Sequence, residues 1–215
     1  MRFKAFEKTI LEINKLSLPG IETQLKMAPP FREQLLERYK EERKSAKPAA
    51  VLALFYPSPE GETLMVLILR KSYEGVHSAQ VGFPGGKPES EDVSKEATAL
   101  RETWEEIGVS SDKIKVVREL SSIYIPPSNF LVSLFLGIAT VPLTFTLQES
   151  EVDAILEVSL TEFLDDKSEV YSEVLVSEGV TFEVPAFKLK EHIVWGATAM
   201  MLIEIKTMLN QILKK

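Results

Sequence analysis

The sequence contains no cysteine. Disulfides, thiolate-bound zinc and thiol catalysis are excluded by that alone, and a reducing, cytoplasmic setting is the expectation. No run of about 18 apolar residues occurs, so no membrane partner or spanning helix is expected. The first residues, MRFKAFEKTILEINKL, are interrupted by charge and have no signal-peptide core. The last four, ILKK, form no lipid or retention address. Positive charge is in deficit: 25 Lys and Arg stand against 32 Asp and Glu, for a net charge of −7. Holding nucleic acid by bulk charge needs the opposite balance, so no nucleic-acid partner is expected. A small anionic ligand responds to local charge and stays open.

The chain is 215 residues long, 45% apolar and 27% charged, which describes a folded domain with an appendage. Charge divides it unevenly. Residues 1–48 hold 11 basic and 7 acidic residues, whereas residues 49–215 hold 14 and 25. A boundary at Lys47-Pro48 therefore separates a helical N-terminal extension, 1–48, from a larger domain, 49–215. In the extension, Phe6, Ile10 and Ile13 share one helical face, Leu18-Pro19-Gly20 stops that helix, and Pro29-Pro30 opens a second one carrying Phe31, Leu35, Leu36 and Tyr39. Residues 40–47 form a charged linker. The net +4 of this segment could help hold an anionic substrate, dock on the acidic remainder, or make a homodimer contact.

In the larger domain, apolar runs at 49–56 and 64–69 around a turn predict a β-hairpin. Residues 82–86 read as a loop, 94–107 as a helix, and 115–124 and 131–139 as strands. A short helix at 160–164 follows Ser159, a strand spans 180–187, and a long helix covers 195–213. Mixed strands and helices in this order predict an α/β protein, an α/β/α sandwich around a mixed sheet.

Chemistry concentrates in one helix. At 3.6 residues per turn, Glu102, Glu105 and Glu106 lie within a single turn, opposite a stripe of Ala97, Leu100, Trp104 and Ile107. Like charges at this spacing repel by a few tenths of a kcal/mol. A solvated acidic face is one outcome. Ligation of a hard divalent cation, Mg²⁺ or Mn²⁺, is the other. Gly85-Gly86 before the helix can bring a loop close enough to offer a backbone carbonyl, and Gly108 suits the helix C-terminus.

Gly86, Arg101-Glu102, Glu105-Glu106 and Gly108 together resemble the Nudix box of hydrolases that cleave nucleoside diphosphates linked to another moiety. Asp92 stands where that box usually has Glu, and the spacing before Arg101 is one residue longer than usual. The longer spacing is similar to the coenzyme A pyrophosphatase branch. So is the leader formed by Leu67, Arg70-Lys71-Ser72, His77, Gln80-Val81 and Phe83-Pro84-Gly85-Gly86, although Ala79 replaces the usual glycine. The resemblance spans 50–139 well, weakens through Glu151-Val152 and returns at 192–199.

This resemblance implies a Nudix-type sandwich and hydrolysis of the pyrophosphate of coenzyme A, with Mg²⁺ or Mn²⁺ as cofactor. It implies Glu102, Glu105, Glu106 and the Gly86 carbonyl as metal ligands. Glu105, Glu151 and Arg101 would take catalytic roles, with Arg101 orienting a glutamate. Arg70, His77 and Lys87 would bind substrate, although Arg70 could equally serve a surface ion pair. Asp92 would pair with Arg101 or cap the helix, and Trp195 would enter the core. Other Nudix substrates, namely ADP-ribose, dinucleotides and nucleoside triphosphates, remain alternatives. So does a non-catalytic Nudix-like sensing module, but such modules tend to lose box carboxylates and all three are present here.

Overall fold

The computed structural model describes residues 1–71, 80–176 and 180–213. His77 lies outside them. Two apolar runs build the first hairpin: β1 (Lys47–Pro57) and β2 (Thr63–Arg70) pair antiparallel, with Leu54 opposite Val66 and Pro57 opposite Thr63. Beyond Leu54 the two strands diverge. The segment read as a loop fills the gap as two short strands, β3 (Val81–Gly82) on β2 and β4 (Gly85–Gly86) on β1. Helix α4 (Lys95–Ile107) follows, and Ser94 Oγ accepts from the Ala97 amide at 3.0 Å to start it. Gly108, at φ +74°, ends it by donating to the Trp104 carbonyl.

The predicted strand at 115–124 is broken into β5 (Ile114–Glu119) and β6 (Ile123–Ile125), because both pair with different parts of β7 (Phe130–Ala139). β7 runs parallel to β1 and β8 (Val152–Ser159) runs antiparallel to β2, so the sheet is mixed. Ser159 caps the short helix α5 (Leu160–Leu164). β9 (Glu169–Val176), β10 (Val180–Leu189) and β11 (His192–Trp195) make a second, three-stranded antiparallel sheet. Helix α6 (Gly196–Leu213) closes the chain.

Alternation along β1 sorts the core onto two faces. Ala50, Leu52, Leu54 and Tyr56 pack with Ala99 and Ile107 of α4. Ala49, Ala53 and Phe55 pack with α6 and with the N-terminal segment. Helix α1 (Phe3–Ile10) buries Phe3, Phe6 and Ile10 there, with Phe6 set 5.2 Å from the Phe55 ring. Helix α2 (Gly20–Gln24) is tied to α6 by a buried hydrogen bond from Gln24 Nε2 to Glu204 Oε2 at 2.9 Å. Arg118 of β5 donates to the carbonyls of Ile13 and Leu16. Helix α3 (Arg32–Arg38) packs on the turn Pro126–Ser128 that leads into β7. The residues ahead of β1 thus share one core with α6. Among the described residues, no helix is long and apolar enough to cross a membrane.

Candidate active site

Register places one end of the sheet beneath α4. The start of β1, the end of β2, β4 and the start of β8 meet there, so Gly85-Gly86, Arg70 and Glu151 are brought together. The helix presents a different face to them than the sequence stripe suggests. Trp104 is 57% exposed, and the buried positions are Thr98, Ala99, Thr103, Glu106 and Ile107. A carboxylate therefore points inward where an indole was expected. The reason is the partner set: Glu106, only 1% exposed, accepts from the Gly85 amide at 2.8 Å and from Arg70 Nη1 at 3.1 Å. Those donors come from β4 and β2, and they rotate the helix toward the sheet.

Glu102 is held differently. It stands directly over Gly86, where an added Cβ would lie 2.5 Å from the carboxyl carbon. Only glycine allows that approach. Glu105 is the outermost of the three and accepts from Arg101 Nη1 at 2.7 Å. Arg101 is saturated by its surroundings: it also donates to Glu102, to the carbonyl of Lys87 and, from Nε and Nη2, to Asp92. Arg101 thus knits the helix to the loop before it. Asp92 takes the pairing role, and the cap belongs to Ser94. Lys87 lays its ammonium over the Phe130 ring at 5.5 Å. Trp195 closes β11 and is half-buried beside Gln80, Val81 and Ile193 around a small cavity of about 50 Å³.

Electrostatics sets this cluster apart from a solvated acidic face. Burial, with further repulsion from Glu102 and Glu151, pushes the Glu106 carboxyl up to about 7 despite Arg70 and the Gly85 amide. Burial raises Glu102 as well, and Glu105 and Glu151 add to it. Crowded carboxylates that resist ionisation lack positive charge. The opposite holds for Asp92, which its hydrogen bonds to Arg101 lower from 3.8 to about 2. A carboxylate depressed on folding stabilises the fold above its unfolded value and loses that contribution as pH falls toward the folded one. Asp92→Asn should therefore narrow the drop in thermal midpoint between about pH 4 and pH 2 relative to wild type, as measured by circular dichroism. An identical drop in both proteins would remove Asp92 as a source of that acid sensitivity.

Among the described residues, no three acidic or histidine side chains stand together as a closed ligand group. Glu106 is turned to Gly85 and Arg70, and Glu105 to Arg101. The donor chemistry nonetheless suits a hard divalent cation, since the site is all oxygen, its carboxylates repel one another, and the Gly86 cradle is shaped around one of them. Two contacts went beyond what the spacing alone foretold: Arg70 pairs with the buried Glu106 where a phosphate contact or a surface ion pair was expected, and Gly85, rather than Gly86, supplies the amide that fixes Glu106. The repeated glycine was the available signal.

The acidic helix is thus clasped by a glycine loop and by an arginine from the neighbouring strand. The NUDIX domain family model matches residues 46–176, and the chain belongs to the Nudix hydrolases, which act on pyrophosphate bonds and generally use divalent metal ions. It is 32% identical over 151 residues to an uncharacterized Nudix hydrolase, NudL, of Photorhabdus laumondii, covering 70% of this chain and 79% of that one. It is 31% identical over 161 residues to the human mitochondrial coenzyme A diphosphatase NUDT8, covering 73% and 68%. The crystal structure of a MutT/nudix family protein from Enterococcus faecalis shares the fold at 18% identity and a TM-score of 0.52, covering 99% of this chain and 75% of that one.

Proposed function

We propose that the protein hydrolyses the pyrophosphate of coenzyme A or its derivatives to adenosine 3′,5′-bisphosphate and a 4′-phosphopantetheine product, using Mg²⁺ or Mn²⁺. The observation behind this reading is the Arg70–Glu106–Gly85 clasp, in which the leader before the box and the box itself form one contact network. The names of relatives at about 30% identity support the same substrate. In this reading residues 49–215 are the hydrolase domain, and residues 1–48 are an extension that closes its core.

Glu102, Glu105, Glu106 and the Gly86 carbonyl would hold the cation. When bound, it would neutralise the diphosphate and acidify an attacking water. Arg70 is partly exposed at the rim and can turn its free guanidinium edge to a phosphate oxygen while Nη1 stays on Glu106. Lys87 adds positive charge on the same rim. Glu151 lies exposed beside Glu102 and Glu106 at the start of β8 and takes the proton from water on its carboxylate. Arg101 keeps Glu105 and the Lys87 carbonyl in place. His77, in the leader, completes the substrate contacts. A cytoplasmic setting and a homodimer belong to this reading too. The absence of cysteine supports the first, and Tyr171 and Leu175, exposed on one face of β9, support the second.

The test offers coenzyme A, ADP-ribose, a dinucleotide and a nucleoside triphosphate to the protein with Mg²⁺ or Mn²⁺ and identifies products by mass. Adenosine 3′,5′-bisphosphate from coenzyme A is the expected dominant product, and a chelator should abolish it. Faster turnover of any other substrate would replace the coenzyme A reading.

A further inference from the structure

Arg32, the first residue of α3, is only 8% exposed. Its Nη2 donates to the Tyr124 carbonyl at 3.0 Å, while its Nε is sealed from solvent with no acceptor. No carboxylate among the described residues pairs with it. The exposed cations of the same segment behave otherwise: Lys15, Lys40 and Lys44 each pair with a glutamate three residues away. A buried guanidinium without a counter-ion is unfavourable unless something else brings negative charge to it. Its charged neighbour Arg43 is another cation and makes matters worse. Arg43 is exposed, has no acidic partner among the described residues, and stacks on the Tyr124 ring at 5.5 Å. Glu42 is the acidic side chain within electrostatic reach of that tyrosine.

Position gives this anomaly a use. Tyr124 of β6 pairs with Leu131 of β7, and Phe130 of β7 pairs with Lys47 of β1. The ring of Phe130 carries Lys87, the residue after Gly86. Arg32, Arg43, Lys47 and Lys87 thus follow one another along the end of the sheet that holds the catalytic cluster. On the turn against which α3 packs, Ser128 also has a buried Oγ without a partner.

We propose that Arg32, Arg43 and Ser128 form a second anion subsite, which takes a phosphate monoester carried by the substrate in addition to its diphosphate. Arg43, exposed, meets the group first; Arg32 keeps Nη2 on the Tyr124 carbonyl and offers its unpartnered Nε, and Ser128 its unpartnered Oγ, once the group displaces the side chains that cover them. The identification of this group as the 3′-phosphate of a nucleotide rests on the coenzyme A reading; the subsite itself does not.

Truncating the extension cannot test this, because Phe6 and Ile10 belong to the core. The test compares wild type, Arg32→Gln and Arg43→Gln with coenzyme A and 3′-dephospho-coenzyme A. Arg32→Gln should raise KM for coenzyme A roughly tenfold, Arg43→Gln by about threefold, and neither should change KM for the dephospho substrate. Equal changes on both substrates, or none, overturn the proposal. If Arg32→Gln does not fold, Arg43→Gln on its exposed side chain decides alone. A parallel calorimetric measurement uses adenosine 3′,5′-bisphosphate and adenosine 5′-monophosphate. If coenzyme A is not turned over yet the bisphosphate binds about tenfold tighter to wild type than to Arg32→Gln, the coenzyme A reading fails and the subsite stands. If wild type binds both nucleotides equally, the subsite fails whatever the turnover.

Discussion

Replacing Glu106 by glutamine should lower kcat on the order of 10²–10³-fold while leaving the fold in place. The side chain is almost fully buried, and its two oxygens serve the Gly85 amide and Arg70. In the variant the amide oxygen can still accept from Gly85. The new NH₂ group faces Arg70 and loses that bond. Against this loss, the variant no longer buries a carboxyl that burial has already pushed up to about 7. These two effects offset, so stability should change by no more than about 1 kcal/mol. What vanishes is the negative charge that a divalent cation needs. Calorimetric titration with Mn²⁺ should therefore show weakened binding alongside the lost turnover. A variant that turns over like wild type would remove Glu106 from the metal site.

The second large effect separates two adjacent glycines. Gly86→Ala would place a methyl group 2.5 Å from the Glu102 carboxyl, which sits at the end of a flexible side chain and can swing away. The fold should survive, but a ligand displaced by about 1 Å is expected to reduce turnover on the order of 10²-fold. Gly85→Ala meets backbone instead. Its Cβ would lie 2.6 Å from Val51 Cα and against the Ala50 carbonyl, at φ +147°. Neither obstacle is a flexible tip, so β4 must leave β1. A loss of about 3 kcal/mol is expected, or roughly 10 °C in thermal midpoint for a chain of this size. Equal melting temperatures for the two variants would contradict the structure at this strand pair.

Features with local causes could be read from sequence. The start of α4 follows from Ser94 and its end from Gly108, because a cap needs only nearby residues. The same is true of Ser159 before α5 and of the apolar runs that became β1, β2 and β7. The rotation of α4 could not be read in this way. Trp104 looks like the core residue and Glu106 like the solvated one, until Arg70 and Gly85 arrive from distant strands. β3 and β4 are two residues each and exist only through partners on β2 and β1. β9 has no buried stripe strong enough to announce it and is defined by its pairing with β10. Val152, Leu156 and Val158 do turn inward along β8, but the acidic residues around them left no apolar run to mark the strand. Arg32 gave no signal at all, since an unpaired guanidinium can be recognised only once its surroundings are known.

The shared core of α1 and α6 has a consequence for how the chain is made. Helix α1 has its apolar face covered in part by α6, which follows it in the chain by roughly 190 positions. Between them β1 must also wait for β7, which begins roughly eighty positions later. Phe3, Phe6 and Ile10 therefore stay partly uncovered until α6 has emerged, and a nascent chain arrested before α6 would display them as a surface for chaperones or for aggregation.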